Sequence, residues 1–378
     1  MYEPNITLTE RLQKSLGEIE EIRALIQMIP VLDIVEAPIQ HRVLVETVYY
    51  TARIEGNPLN IQTAERLGRD RLSQKQLGSS EQEHINLYRA MAFIRGLADR
   101  HDVPIDEEVI KQIHAFVVRD IPSQGSPGVY KLKPNAIKDR LSGELIFLPP
   151  SPSDSVKLMS ELSAWLRQGS IAINPVIFAG VAHLELVAIH PFDNGNGRTA
   201  RALADLILYR YGYKCRYLFS WVRQAGIDMD TYHQKIRQVL GARYGANTDP
   251  TEWLEYFTES VAKSLVEKKS ELLRIQKSFV NAYNLGEEKG LSRDQVQAII
   301  YAATYGFVTT GVYMDATKLS RSTVVKRLNA LIEMEIMRVE GKGRNVRYVL
   351  VSTEPLGIEG KQIEGVQLGL ELREERAE

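Results

Sequence analysis

The run His190-Pro191-Phe192-Asp193-Asn194-Gly195-Asn196-Gly197-Arg198-Thr199-Ala200-Arg201 gathers an imidazole, two glycines and two guanidiniums into one short stretch. Apolar residues at helical spacing precede it, Ala182 to Ile189, and follow it, Ala202 to Leu208. The stretch therefore predicts a helix, a tight glycine loop and a second helix. Gly195 and Gly197 let the backbone take unusual dihedrals and approach a ligand. Backbone N–H groups at the start of the second helix favour an anion, and such a nest suits a phosphate. Arg198 and Arg201 are three apart, hence on one helix face, and each can fork onto phosphate oxygens. Asn196 can brace the loop or donate to a phosphate. His190, at the mouth of the loop, has the chemistry of a general base. Singly, each residue has an ordinary structural reading: a histidine at a helix end, a turn glycine, arginines on a solvated face. Their conjunction points to a polyphosphate site with a base beside it.

The same run resembles the signature of the Fic family, His-x-Phe-x-(Asp/Glu)-Gly-Asn-Gly-Arg-x-x-Arg. His183, seven residues before His190, fits the family's lead-in. The resemblance implies a protein adenylyltransferase that moves AMP from ATP, its co-substrate, to a Ser, Thr or Tyr hydroxyl of a target protein, itself included. It implies that His190 takes the hydroxyl proton, that Gly195, Asn196 and Gly197 form the hole for the α- and β-phosphates, and that Arg198 and Arg201 hold the β- and γ-phosphates. Phe192 becomes a packing anchor. One position departs from the pattern. The acidic residue that holds Mg²⁺ in the family is Asn194 here, which offers only a neutral carbonyl oxygen to a hard cation. Three outcomes stay open: Mg²⁺ held through Asn194 and the phosphates, Asp193 substituting after a loop shift, or impaired transfer. UMP, phosphate or phosphocholine transfer, and AMP removal, are the alternative chemistries.

Upstream, Thr51-Ala52-Arg53-Ile54-Glu55-Gly56-Asn57 closes a helical run from about Gln40. Gly56 suits a left-handed C′ position and Pro58 stops the helix. By chemistry alone Glu55 is a carboxylate at a helix end. The segment is similar to the inhibitory (Ser/Thr)-x-x-x-Glu-(Gly/Asn) motif of Fic proteins, in the N-terminal, class II arrangement. That resemblance implies that Glu55 pairs with Arg201 and blocks the γ-phosphate.

Alternating apolar residues around Ser142-Gly143 predict a β-hairpin. The resemblance makes it a flap that clamps the target by strand addition, with Ile146 and Phe147 as its residues. Asp230 to Ile236 is similar to the family's aromatic pair near the adenine, which places Tyr232 in nucleotide binding and His233 at the second position. Core packing is the competing reading of Tyr232.

From Asp294 the pattern changes. Gln295–Tyr305 reads as a helix and Asp315–Leu319 as a short second one. Ser320 reads as the N-cap of a third, with the apolar face Val324, Leu328 and Leu331. Two strands flank Gly341-Lys342-Gly343. This order resembles a winged helix, with Arg321, Lys326 and Arg327 on the recognition helix and Lys342, Arg344 and Arg347 on the wing. DNA and protein docking are equal alternatives, and a nucleotide-sensing DNA-binding regulator is the reading from another functional class.

The fold expected is mainly α: a helical Fic core with a short β-hairpin flap and a C-terminal winged helix-turn-helix domain. The expected division is an N-terminal helical region at 1–100 carrying the inhibitory motif, a core at 101–285, the winged helix at 286–356 and a charged tail at 357–378. Its boundaries fall near His101–Pro104 and Leu285–Glu288. The net charge of −1 excludes bulk attraction to nucleic acid, so any such signal is local. One cysteine, Cys215, excludes an internal disulfide framework and fits a reducing cytoplasm. The N-terminal residues lack a signal-peptide layout, and no apolar run reaches the ~20 residues of a membrane helix. The resemblance further implies homodimers.

Overall fold

The computed structural model of the protein describes residues 4–69, 77–138, 143–169, 173–245 and 248–356. Among them the helices in chain order are α1 (Glu10–Met28), α2 (Asp33–Ile54), α3 (Ile61–Arg69), α4 (Ser79–Leu97), α5 (Glu107–Val118), α6 (Pro152–Gln168), α7 (Pro175–Ile189), α8 (Asn196–Arg210), α9 (Trp221–Ile227), α10 (Met229–Leu240), α11 (Thr251–Lys289), α12 (Arg293–Tyr305), α13 (Thr310–Thr317) and α14 (Arg321–Glu333). Two antiparallel pairs complete the described fold: β1 (Ile137–Lys138) with β2 (Leu145–Phe147), and β3 (Met337–Glu340) with β4 (Arg347–Leu350). No helix among the described residues is long and apolar enough to cross a membrane. The chain divides into two compact units, one of Met1–Gln27 with Val43–Glu267, the other of Met28–Arg42 with Lys268–Glu378.

The first unit is built on the antiparallel pair α7 and α8. α7 is apolar all round, so it must be covered on every side, and all but two of its residues are buried. Asn174 caps its start by accepting from Val176 N–H at 2.8 Å, and Pro175 takes the first helical position. α11 lies on α7 at Gly180, where an added Cβ would stand 2.8 Å from Leu254 and 2.9 Å from Phe257. Trp253 Nε1–H donates to the Gly180 carbonyl at 2.8 Å, which ties the crossing together. α4 and α5 pack on α8 and with each other. α5 begins at Asp106, whose carboxylate accepts from Glu108 and Val109 N–H, an N-cap worth ~1 kcal/mol.

The second unit holds α12 to α14 and the pair β3–β4, with Val324, Leu328, Leu331 and Met337 in its core. Ser320 caps α14 as its sequence suggests. α13 begins at Thr310, five residues before the expected Asp315, because Thr309 accepts from Val312 N–H and starts the helix there. The expected boundary at Leu285–Glu288 lies inside α11, which runs to Lys289. Gly286 is a packing glycine rather than a linker residue, since an added Cβ would meet Val296 at 2.5 Å. The chain turns at Gly290, in the left-handed region at φ +66°. Ser142 of the hairpin, the side chain of Arg344 and the expected tail at 357–378 lie outside the described residues.

Candidate active site

The site forms where α7 meets α8. α7 ends at His190, which takes left-handed dihedrals (φ 48°, ψ 55°), a costly conformation for a residue with a Cβ. The chain turns through Gly195, at φ 75°, into α8. An added Cβ there would stand 2.9 Å from Val118 and 3.4 Å from His114, so the loop sits flush on α5.

The loop carbonyls are held one by one. Asn196 Oδ1 accepts from Phe192 N–H at 3.0 Å and its Nδ2 donates to Phe192 O at 2.9 Å. Asn196 thus braces the loop with both ends of its amide. Asn135 Nδ2 also donates to Phe192 O, at 3.1 Å, and Lys131 N–H donates to Pro191 O at 2.8 Å. His114 stacks on Phe192 with ring centroids 3.7 Å apart. Its Nδ1 accepts from Gly128 N–H at 3.0 Å, so Nε2 carries the proton and donates to Asn194 O at 3.0 Å. Burial pushes the His114 imidazole down to about 4, which keeps that tautomer neutral. Lys131, buried, donates from Nζ to Asn135 Oδ1 at 2.9 Å. Burial lowers its ammonium to about 8, against the opposing pull of Asp193.

His190 Nδ1 lies 3.2 Å from Val187 O, a carbonyl that only accepts. Nδ1 therefore donates and Nε2 keeps the lone pair of a base. Burial lowers the His190 pKa to about 4; the Val187 hydrogen bond opposes that shift and the charge of Lys131 adds to it. At neutral pH the ring is ready to accept a proton.

Both motif arginines are almost fully buried, at 1% exposure each. Arg201 Nη2 donates to Glu55 Oε1 at 2.6 Å and to Thr51 O at 3.1 Å, and its Nη1 donates to the Tyr232 hydroxyl at 3.3 Å. The Tyr232 hydroxyl, already accepting, donates to His183 Nε2 at 3.0 Å. The His183 ring stacks on Trp253. Tyr232, 2% exposed, braces Arg201 and packs in the core in this conformation. α2 ends at Ile54 and Gly56 is left-handed at φ 81°, which turns Glu55 into the site. Its Oε1 lies 2.5 Å from where a Cβ on Gly197 would be, so glycine is what lets the carboxylate reach the start of α8. There it occupies the position that favours an anion. Burial disfavours its charge, but the Arg201 and Arg198 guanidiniums outweigh that and hold the carboxyl at about 2.

Arg198 is also paired. Its Nη1 contacts Glu83 Oε1 of α4, and its Nη2 donates to Asn194 Oδ1 at 3.2 Å. Nothing in the sequence distinguishes Glu83 from its neighbour Glu81; α4 alone presents it to the site. His114, Asn57 and Asn135 were likewise invisible as site residues, because each acts on a partner far away in the chain.

Mg²⁺ does not fit the residues as they stand. Asn194 Oδ1 accepts both Gly195 N–H, at 2.7 Å, and the cationic Arg198. Asp193 is exposed and its side chain faces Gly125. Among the described residues no group of three or more His, Cys, Asp or Glu side chains could hold a metal. In the hairpin, Ile137 pairs with Phe147 and Lys138 with Leu145. Phe147 is buried and Ile146 half-buried, so the flap has backbone rather than a projecting aromatic to offer.

Comparison with known proteins agrees with this geometry. The model of the Fic/DOC family matches residues 104–208. The protein adenylyltransferase Fic of Culex quinquefasciatus is 32% identical over 184 residues, 47% of this chain and 33% of that protein. That of Drosophila melanogaster is also 32% identical, over 47% of this chain and 34% of that protein. The chain thus spans about a third of the length of these curated relatives. Among solved structures, a Fic family protein of Desulfovibrio desulfuricans superposes with a TM-score of 0.61 at 21% identity, covering 92% of this chain and 98% of that one. Fic-1 of C. elegans superposes at 0.51 with 24% identity, covering 69% and 71%. The family match thus runs across α5 to α8 with the glycine loop inside it, and the fold there is similar to that of the solved Fic structures.

Proposed function

We propose that this protein is a protein adenylyltransferase held inactive by its own Glu55. The observation that carries the reading is His190, with Nδ1 engaged by Val187 O and Nε2 available, at the mouth of a glycine loop whose following helix bears two buried arginines. The relatives named protein adenylyltransferase support the same chemistry. In the reaction, the target hydroxyl oxygen attacks the α-phosphorus of ATP as its proton passes to His190 Nε2. The new O–P bond forms, the bond to the oxygen bridging the α- and β-phosphates breaks, and pyrophosphate leaves. The α8 N-terminus stabilises the charge that develops on the α-phosphate oxygens. Arg198 and Arg201 receive the outer phosphates, which Arg201 can do only after Glu55 lets go.

Intact-mass spectrometry tests this directly. Glu55→Gly protein incubated with ATP is compared with wild type and with Glu55→Gly/His190→Ala. An AMP adduct on the single variant or an added target, absent from the other two, is the expected result. No adduct from ATP, with ATP still bound, overturns adenylyl transfer and turns the assay to UTP and other donors.

For the second unit, the order α12, α13, α14 and hairpin supports a winged-helix docking module, with Arg321 and Lys326 exposed on α14. Duplex binding that falls with salt and is lost in Arg321→Ala/Lys326→Ala would assign it to DNA. Its absence would leave protein docking.

A further inference from the structure

The pairing of Arg198 is the feature of the site that the adenylyltransferase reading leaves unexplained. Arg198 is one of the two guanidiniums that reading assigns to the outer phosphates, yet it is no freer than Arg201. Its side chain is 2% exposed and that of Glu83 9%, so their ion pair is shielded from water. The Arg201–Glu55 pair has the same form, with side chains 2% and 28% exposed. Breaking a buried pair leaves an uncompensated charge unless another anion takes its place. A phosphate is such an anion.

Two observations join the pairs. Asn57, two residues after Glu55, donates from Nδ2 both to Glu83 Oε2 and to Ser80 O, the latter at 3.0 Å. The turn that presents Glu55 is therefore fastened to the carboxylate that holds Arg198. Glu55, Asn57, Glu83, Asn194 and Arg198 also line one polar cavity of about 220 Å³. That is below the roughly 300–1,000 Å³ of small-molecule sites, so this space beside Arg198 suits part of a nucleotide rather than the whole.

We propose that Glu83 is a second carboxylate gate on the triphosphate site: it holds Arg198 as Glu55 holds Arg201, and Asn57 makes the two release together when a nucleoside triphosphate enters. The proposal rests on the adenylyltransferase reading and adds to it the regulation of the first motif arginine. The departure at position 194 fits the same picture. With a neutral amide beside Arg198, the carboxylate on that guanidinium comes from α4, a separate element that can move while the loop stays in place.

The test is calorimetric binding of ATP and of AMP, without divalent metal, to wild type, Glu55→Gly, Glu83→Gln and the double variant, with thermal melting as the folding control. AMP has no outer phosphates, so a gate on them discriminates between the ligands and a merely structural ion pair does not. Glu83→Gln is expected to tighten ATP about tenfold in the Glu55→Gly background, equivalent to ~1.4 kcal/mol, and to change AMP by less than about twofold. Tightening by Glu55→Gly with none added by Glu83→Gln overturns the second gate and leaves the adenylyltransferase reading standing. Binding of ATP to none of the four overturns both. If Glu83→Gln does not fold, Asn57→Ala answers instead, because it removes one neutral donor from Glu83 and leaves both charges. Loss of one such hydrogen bond predicts about threefold tighter ATP, and unchanged affinity overturns the proposal.

Discussion

Replacement of Glu55 gives the sharpest quantitative expectation. In wild type, ATP must displace a carboxylate that accepts from Arg201 Nη2 at 2.6 Å and sits where α8 begins. A hydrogen bond involving a charged group contributes ~1.5–3 kcal/mol. Breaking a fully buried pair costs ~3–5 kcal/mol, but the Glu55 side chain is 28% exposed, which places this pair in the lower range. At ~1.4 kcal/mol per tenfold, Glu55→Gly should tighten ATP by roughly ten- to a hundredfold. Glu55→Gln keeps the shape and a neutral acceptor for Arg201, so about 1 kcal/mol of hydrogen bond remains and only part of that gain is realised. The expected order of affinity is Gly, then Gln, then wild type, measured by titration with ATP. AMP should show little of the series, because the contact lies at the outer-phosphate end. Equal ATP affinity in all three proteins, each folded, would refute the latch, and weaker binding in Glu55→Gly would make the pair a support for the site instead.

The transfer rate should report the histidine. In Glu55→Gly, kcat/KM is expected to be flat from pH 8 down to about pH 5.5, then to fall with acid as His190, whose pKa is lowered to about 4, takes up the proton that disables a base; a fall centred near 6.5 would contradict the buried, Val187-bonded ring. Stability should move with pH in the same direction. His114 and His190 are neutral in the fold down to about 4, whereas unfolded histidine protonates near 6.5. The unfolded chain therefore binds more protons between those values, and urea midpoints should drop as pH falls from 6.5 towards 4. Glu55, held at about 2, adds stability that is present above its unfolded value of 4.5 and lost in stronger acid, so Glu55→Gly should leave the slope between 6.5 and about 5.5 nearly unchanged. His114→Phe keeps the stack on Phe192 but strands Gly128 N–H and Asn194 O; at ~1–3 kcal/mol for each stranded group, urea denaturation should show a loss within about 2–6 kcal/mol, at the lower end because Gly128 is half-buried and Asn194 exposed, and a loss below about 0.5 would refute the bridging role.

Much of this protein was readable along the chain because its signals are local. The helix–loop–helix around His190, the left-handed Gly56 at the end of α2 and the Ser320 cap of α14 each depend on neighbours within a turn or two, and each is where the residues put it. Composition could not separate Gly286, packed inside α11 against Val296, from a linker glycine, since both look alike until the partner helix is in place. It could not start α13 at Thr310, where a hydroxyl cap decides the matter. The sequence by itself thus determined the helical class, the motif loop and the candidate base with its two arginines. Tertiary structure decided what those arginines touch. Arg198 meets a glutamate 115 residues away and Arg201 one 146 residues away, and Asn57 links the two carboxylates through a side chain no motif marks. Ion pairing is a matter of distance and burial in space, and neither is written in the spacing of residues along the chain.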